Sequence, residues 1–236
     1  IAPVIEDGDF HLPSVTVSDD VGAVLLAAGG TSVTVRVRSS IRPGRAANVI
    51  GRRAHPAREK LVVCGHLDTK PGTPGALDNA AGVATVLALA KRLAAAPATN
   101  LEVIAVNVED HHAAPGEMAY IASCGGEFGR IALLVNIDGI GRRDAPTTVA
   151  FFNCADDWAA KVRAAMAGRP DLAETEPWPQ SDHMVFAMRG VPCLAITSGD
   201  IHQLVGSVIH TPADTLDLLD PERMAAAVDF LAEVLS

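Results

Sequence analysis

Apolar residues in this chain fall into short runs of strand length, separated by stretches with helical spacing. Leu61–Gly65, Leu101–Val108, Ile131–Ile137, Thr147–Phe152 and Val191–Thr197 read as strands, and Ala47–Gly51 opens the same sheet. From about Ala80 to Ala95, Val83, Val86, Leu87, Ala90 and Leu93 recur on one helical face. Pro115–Ser123 reads as a helix with proline at its first position, and Asp156–Ala167 as another. Asp220-Pro221-Glu222 is a helix start, after which Met224, Val228, Leu231 and Leu235 line one face. Nearer the N-terminus, Val33, Val35 and Val37 alternate with polar residues and predict a strand over Thr34–Arg38.

Strands alternating with helices predict an α/β fold: a mixed, mostly parallel central sheet with helices on both faces. Its 236 residues are enough for one such domain. At 49% hydrophobic and 20% charged, the composition belongs to a folded domain rather than a disordered one. The net charge of −9 argues against nucleic acid or an anionic membrane as partners. No apolar run reaches the roughly 18 residues of a membrane span. The four cysteines form no CxxC pair, so a thiolate metal site is not expected; Cys124 and Cys154 could pair in an oxidising compartment. No G-x-S-x-G stands in the chain to suggest a serine nucleophile.

The chemistry-bearing residues collect where the predicted strands end. His66 and Asp68 follow the run from Leu61, and Asp78 comes twelve residues after His66 in Gly75-Ala-Leu-Asp-Asn79. Glu109-Asp110 closes the next strand, Asp138 the one after, and His210 stands in IHTPADT. Open α/β sheets place their ligands at this carboxyl end of the strands. Two imidazoles, three carboxylates and a spare carboxylate suit two zinc ions bridged by one carboxylate, with a base beside a bridging water. Taken singly, each residue has an ordinary alternative. Asp78 or Asn79 could cap the following helix, Asp138 before Gly139 could be a turn residue, and a lone His66 could be structural.

In this order and spacing, the segments from Leu61, Glu109-Asp110, LLVNIDGIG, SDHMVFAMRGVPCLAI and IHTPADT resemble the di-zinc exopeptidases of the bacterial secreted aminopeptidase and glutamate carboxypeptidase II group. That resemblance covers roughly Ala47 to the C-terminus, and it implies a zinc exopeptidase-like (phosphorylase/hydrolase-like) fold. It implies that His66 and Asp138 bind one zinc, that Asp110 and His210 bind the other, and that Asp78 bridges them. Glu109 would be the catalytic base, with Asp68 assisting by orienting His66 through its second ring nitrogen. The group usually has Glu-Glu where this chain has Glu109-Asp110, a shorter reach for that ligand. His183, His112 and His202 are candidate substrate contacts. Asp214 would support the His210 loop.

The expected activity is hydrolysis of peptide bonds at a free N-terminus, with a peptide as partner. Alternatives are a mono-zinc aminoacyl transferase resembling glutaminyl cyclase, a carboxypeptidase of the same fold, and a binding domain that has lost catalysis. A carboxypeptidase needs a cation for the substrate carboxylate, for which Arg142-Arg143 are candidates. Residues 1–45 are expected to be a separate N-terminal segment and 46–236 the peptidase domain; Phe10–Ala28 resembles the closing part of the protease-associated domain that some relatives carry. Beginning at Ile1, the chain is expected to have a processed or truncated N-terminus, with a cytoplasmic or a secreted location both compatible. Oligomeric state is not readable from the sequence.

Overall fold

The computed structural model describes residues 15, 17–38, 40, 42–55, 58–94, 100–111, 114–199 and 201–236. Backbone contacts divide the chain into two units, one over Asp9–Arg45 and one containing Ala46–Ser236. In the first, α1 (Asp19–Ala27) opens with Asp19 and Asp20, acidic residues that suit a helix N-terminus. The expected strand over Thr34–Arg38 does not form; residues 32–38 are irregular. Alternation alone does not make a strand, because the backbone needs a neighbour to hydrogen-bond.

The second unit is a seven-stranded sheet. In chain order its strands are β1 (Val49–Arg53), β2 (Lys60–His66), β3 (Asn100–Val106), β4 (Ile131–Ile137), β5 (Thr147–Phe152), β6 (Leu172–Glu174) and β7 (Cys193–Ser198). They lie side by side as β1-β3-β2-β4-β7-β5-β6. β2 is parallel to both β3 and β4, and β4 to β7. β1 and β5 run antiparallel to their inner neighbours, so the sheet is mixed with a parallel centre.

Successive residues of the central strands enter different cores. Leu61, Val63, Leu133 and Val135 pack with Leu89 and Leu93 of α2 (Ala81–Ala94), Val162 of α4 (Asp156–Met166) and Phe230 and Leu231 of α7 (Pro221–Leu235). Val62, Cys64 and Leu134 pack on the other side with Tyr120 of α3 (Pro115–Cys124) and Phe186 of α5 (His183–Ala187). Burial on both faces explains why these strands read as unbroken apolar runs. At the start of α7, Pro221 occupies the first turn and the Asp220 carboxylate accepts the Glu222 N–H at 2.9 Å, so the predicted start is formed as read. The pattern did not reveal β6, α5 or α6 (Ile201–Ser207), each seven residues or fewer. Among the described residues no helix is long and apolar enough to cross a membrane.

Candidate metal centre

The strand ends deliver the side chains. His66 is the last residue of β2 and wholly buried. Asp138 follows β4 directly, its N–H donating to the Ile196 carbonyl of β7 at 2.9 Å. Glu109 and Asp110 form a single helical turn just after β3. Asp78 lies in a wide turn, Ala76–Ala80, that leads into α2, and His210 follows α6 with a positive φ of 64°.

These residues converge as two groups that share one member. His66, Asp78 and Asp138 are one cluster of potential ligand atoms; Asp78, Asp110 and His210 are the other. Asp78 Oδ1 lies 3.0 Å from His66 Nε2, while Asp78 Oδ2 lies 3.1 Å from His210 Nε2. Asp138 Oδ1 is 3.4 Å from His66 Nε2, and Asp110 Oδ1 is 2.7 Å from His210 Nε2. Glu109 Oε2 stands 3.9 Å from His66 Nε2, beside the first cluster. The first cluster is buried; the second reaches solvent through His210.

The donor set fits zinc. His66 Nε2 and Asp110 Oδ2 are buried and make no hydrogen bond among the described residues, although carboxylates surround the former. Imidazole nitrogens and carboxylate oxygens aimed at a common point are what a zinc ion takes. The electrostatics agree. Burial opposes charge on His66, yet Asp138, Asp78 and Glu109 hold its imidazolium well above the usual range. Asp110 and Asp78 raise His210 to about 9. Burial alone would raise Asp78, but His210 and His66 hold it well below the usual carboxylate range. Glu109 is pushed up to about 8 by burial and by the charges of Asp138, Asp110 and Asp78, against the pull of His66. These pockets favour cations and disfavour further negative charge.

Supporting groups are equally specific. Asp68 was expected to orient His66 through its carboxylate. Instead its main-chain carbonyl oxygen lies 3.0 Å from His66 Nδ1, and the carboxylate is 4.0 Å away. The carboxylate accepts N–H groups of Val108, Glu109 and Asp110 at 2.7, 3.2 and 3.1 Å, and so fixes the turn carrying the two acidic residues. Asp214 does the same for Asp78, accepting from Leu77 and Asp78 at 2.6 and 3.0 Å. Asn79 donates to the Ile137 carbonyl at 2.9 Å and ties the Asp78 turn to the end of β4.

His183 requires a correction as a substrate contact. It is wholly buried between Trp178 and Phe152, with ring centroids 4.7 and 4.6 Å away. Its Nε2 donates to the Trp178 carbonyl at 3.1 Å, and its Nδ1 accepts from Asn136 Nδ2 at 3.2 Å. One neutral tautomer satisfies both bonds, and burial lowers its pKa to about 4. In the Ser181-Asp182-His183 segment the electrostatically active residue is Asp182. Its buried carboxyl is raised well above the usual range by burial and by Glu117, and it also feels Glu109 and Asp138. Glu117 is itself raised to about 7, chiefly by burial, and both Asp182 oxygens are buried with no hydrogen-bond partner among the described residues. Nothing in the strand-end pattern signals Glu117, which sits inside α3. His202 is an exposed residue of α6, and His112 lies outside the described residues.

Arg142 and Arg143 are both engaged. Arg142 pairs with Asp144, and Arg143 donates to the carbonyls of Asp217 and Leu219 at 3.4 and 2.7 Å. Neither guanidinium is held ready for a substrate carboxylate.

The profile of peptidase family M28 matches residues 48–235. Aminopeptidase YwaD of Bacillus subtilis is 26% identical over 186 residues, which are 75% of this chain and 40% of YwaD. The structure of BSAP, a zinc aminopeptidase from Bacillus subtilis, is similar with a TM-score of 0.69 at 24% identity, over 79% of this chain and 48% of BSAP. A glutaminyl cyclase from an Acidobacteriales bacterium shares the fold with a TM-score of 0.68 at 21% identity, over 80% of this chain and 72% of the cyclase. The chain spans less than half the length of the two aminopeptidases.

Proposed function

Since the chain belongs to peptidase family M28 across residues 48–235, we propose that it is a zinc exopeptidase that releases N-terminal residues from peptides. Two zinc ions would be held, one by His66 and Asp138, the other by Asp110 and His210, with Asp78 serving both. The observation that carries this reading is Asp78 itself, whose two oxygens face two different histidines at 3.0 and 3.1 Å. Zinc so placed supplies a polarised carbonyl and a water acidified toward neutral pH.

The chain's own groups supply the rest. Glu109 is close enough to the buried cluster to accept a proton from water and return it to the leaving amine. Asp68 keeps Glu109 in place through the backbone. The open side at His210 is where a peptide can approach. The engagement of Arg142 and Arg143 speaks for an aminopeptidase over a carboxypeptidase.

The glutaminyl cyclase alternative has the fold likeness in its favour but calls for one metal, and the presence of two candidate donor groups among the described residues supports the di-zinc reading over it. Zinc stoichiometry of the purified chain, measured with release of N-terminal residues from a peptide panel, tests the proposal. Two zinc ions per chain with stepwise N-terminal release support it. No zinc after reconstitution overturns it, and one zinc with cyclisation of N-terminal glutamine establishes the alternative.

A further inference from the structure

Asp214 lies four residues after His210 and is 1% exposed. The intervening segment is a compact turn: Thr211 N–H donates to the Val208 carbonyl, Ala213 N–H to Thr211 Oγ1, and Asp214 N–H to the Thr211 carbonyl, at 3.1, 3.1 and 3.2 Å. From this turn Asp214 receives three consecutive main-chain donors. Its carbonyl accepts Ala76 N–H at 3.4 Å, Oδ1 accepts Leu77 N–H at 2.6 Å, and Oδ2 accepts Asp78 N–H at 3.0 Å.

The result is a closed ring. The Asp78 side chain meets His210, the Asp78 main chain is held by Asp214, and the turn returns from Asp214 to His210. Resting on the di-zinc reading above, we infer that Asp214 is a positioning residue for both metals at once. It fixes the backbone of the one carboxylate the two clusters share, and it sits on the same turn as a ligand of the second. The chemistry explains why an aspartate is needed. Two parallel N–H groups require two acceptor oxygens on one short, rigid side chain, and a carboxylate makes both bonds charge-assisted. Asparagine would present one oxygen and one NH₂, and the latter would face an N–H.

The test is zinc affinity, read by competition with a chromophoric chelator, on the full chain and its Asp214→Asn, Asp214→Glu and His210→Ala variants. Asp214→Asn keeps volume and shape, so a role in packing alone predicts unchanged affinity and overturns the inference. A positioning role predicts a 10–100-fold loss at both sites, with the Glu variant, which retains two acceptors, losing less. His210→Ala should lose one zinc and keep the other, marking the contrast with Asp214→Asn. Should the Asn variant not fold, hydrogen exchange of the parent decides. Zinc should slow the Leu77 and Asp78 amides together with the 211–214 turn, and amides indifferent to zinc overturn the inference. A parent that takes up no zinc overturns the di-zinc reading as well; a parent with two zincs and an unaffected Asn variant overturns the Asp214 role alone.

Discussion

Asp68 holds Val108: its Oδ1 accepts the Val108 N–H at 2.7 Å while Val108 sits at a φ of 73°. A β-branched residue is costly there, by about 1–3 kcal/mol, and Glu109 is the next residue. The conformation that aims Glu109 is therefore maintained by a carboxylate 40 positions earlier in the chain. Asp68→Asn replaces one acceptor with a donor facing a donor. Turnover of a peptide substrate should fall about 10–100-fold, a range taken from supporting residues of metal sites, while zinc stoichiometry stays the same. Steady-state kinetics beside metal analysis checks both.

Glu109 stands beside the first cluster but belongs to neither group of candidate ligands among the described residues. Glu109→Gln should keep the fold and both zinc ions and lower kcat by about 10²–10⁴-fold, the usual worth of a positioned general base. A fully active variant would show that the base is another group.

Glu117 gives a pH-dependent stability. Its carboxyl is raised in the fold to about 7 from an ordinary 4.5, by burial first. A raised acid binds more protons folded than unfolded between those values, so the fold loses stability as pH climbs from about 4.5 to 7. Above that window the cost is fully present, and below it absent. Glu117→Gln removes the ionisation. It should raise the stability at pH 8, by on the order of 1–3 kcal/mol, seen as a higher melting midpoint, and give much less at pH 5. Thermal melts of both chains in chelator test it; an equal gain at the two pH values would refute the linkage.

Gly82, at the start of α2, packs against the end of β4. A Cβ there would collide with Asn79 Oδ1 and the Ile137 carbonyl, the two partners that tie the Asp78 turn to the strand before Asp138. Gly82→Ala should cost about 1–3 kcal/mol and weaken zinc binding by displacing Asp78 from Asp138. Denaturant unfolding and zinc titration should move together.

Much of the site was legible because it is local. Each proposed ligand but His210, which follows α6, stands at the end of a strand or in the loop after one, and the parallel strands β2, β3 and β4 bring those ends to one edge. Chain order and residue type were then enough to name His66, Asp78, Glu109, Asp110, Asp138 and His210. His183 was misread for the same reason. Its motif puts it beside Asp182, and only packing shows that the imidazole turns into the core against Trp178.

By itself the sequence determined the alternation of strands and helices, the double-sided burial of the central strands and the inventory of imidazoles and carboxylates. These follow from periodicity and composition, which act over a few residues. Tertiary structure decided which oxygen faces which nitrogen. The bond from Leu77 to Asp214 joins residues 137 positions apart, and that from Val108 to Asp68 joins residues 40 apart. No local pattern encodes such a pairing, because it exists only once the sheet has brought the loops together and excluded water from between them.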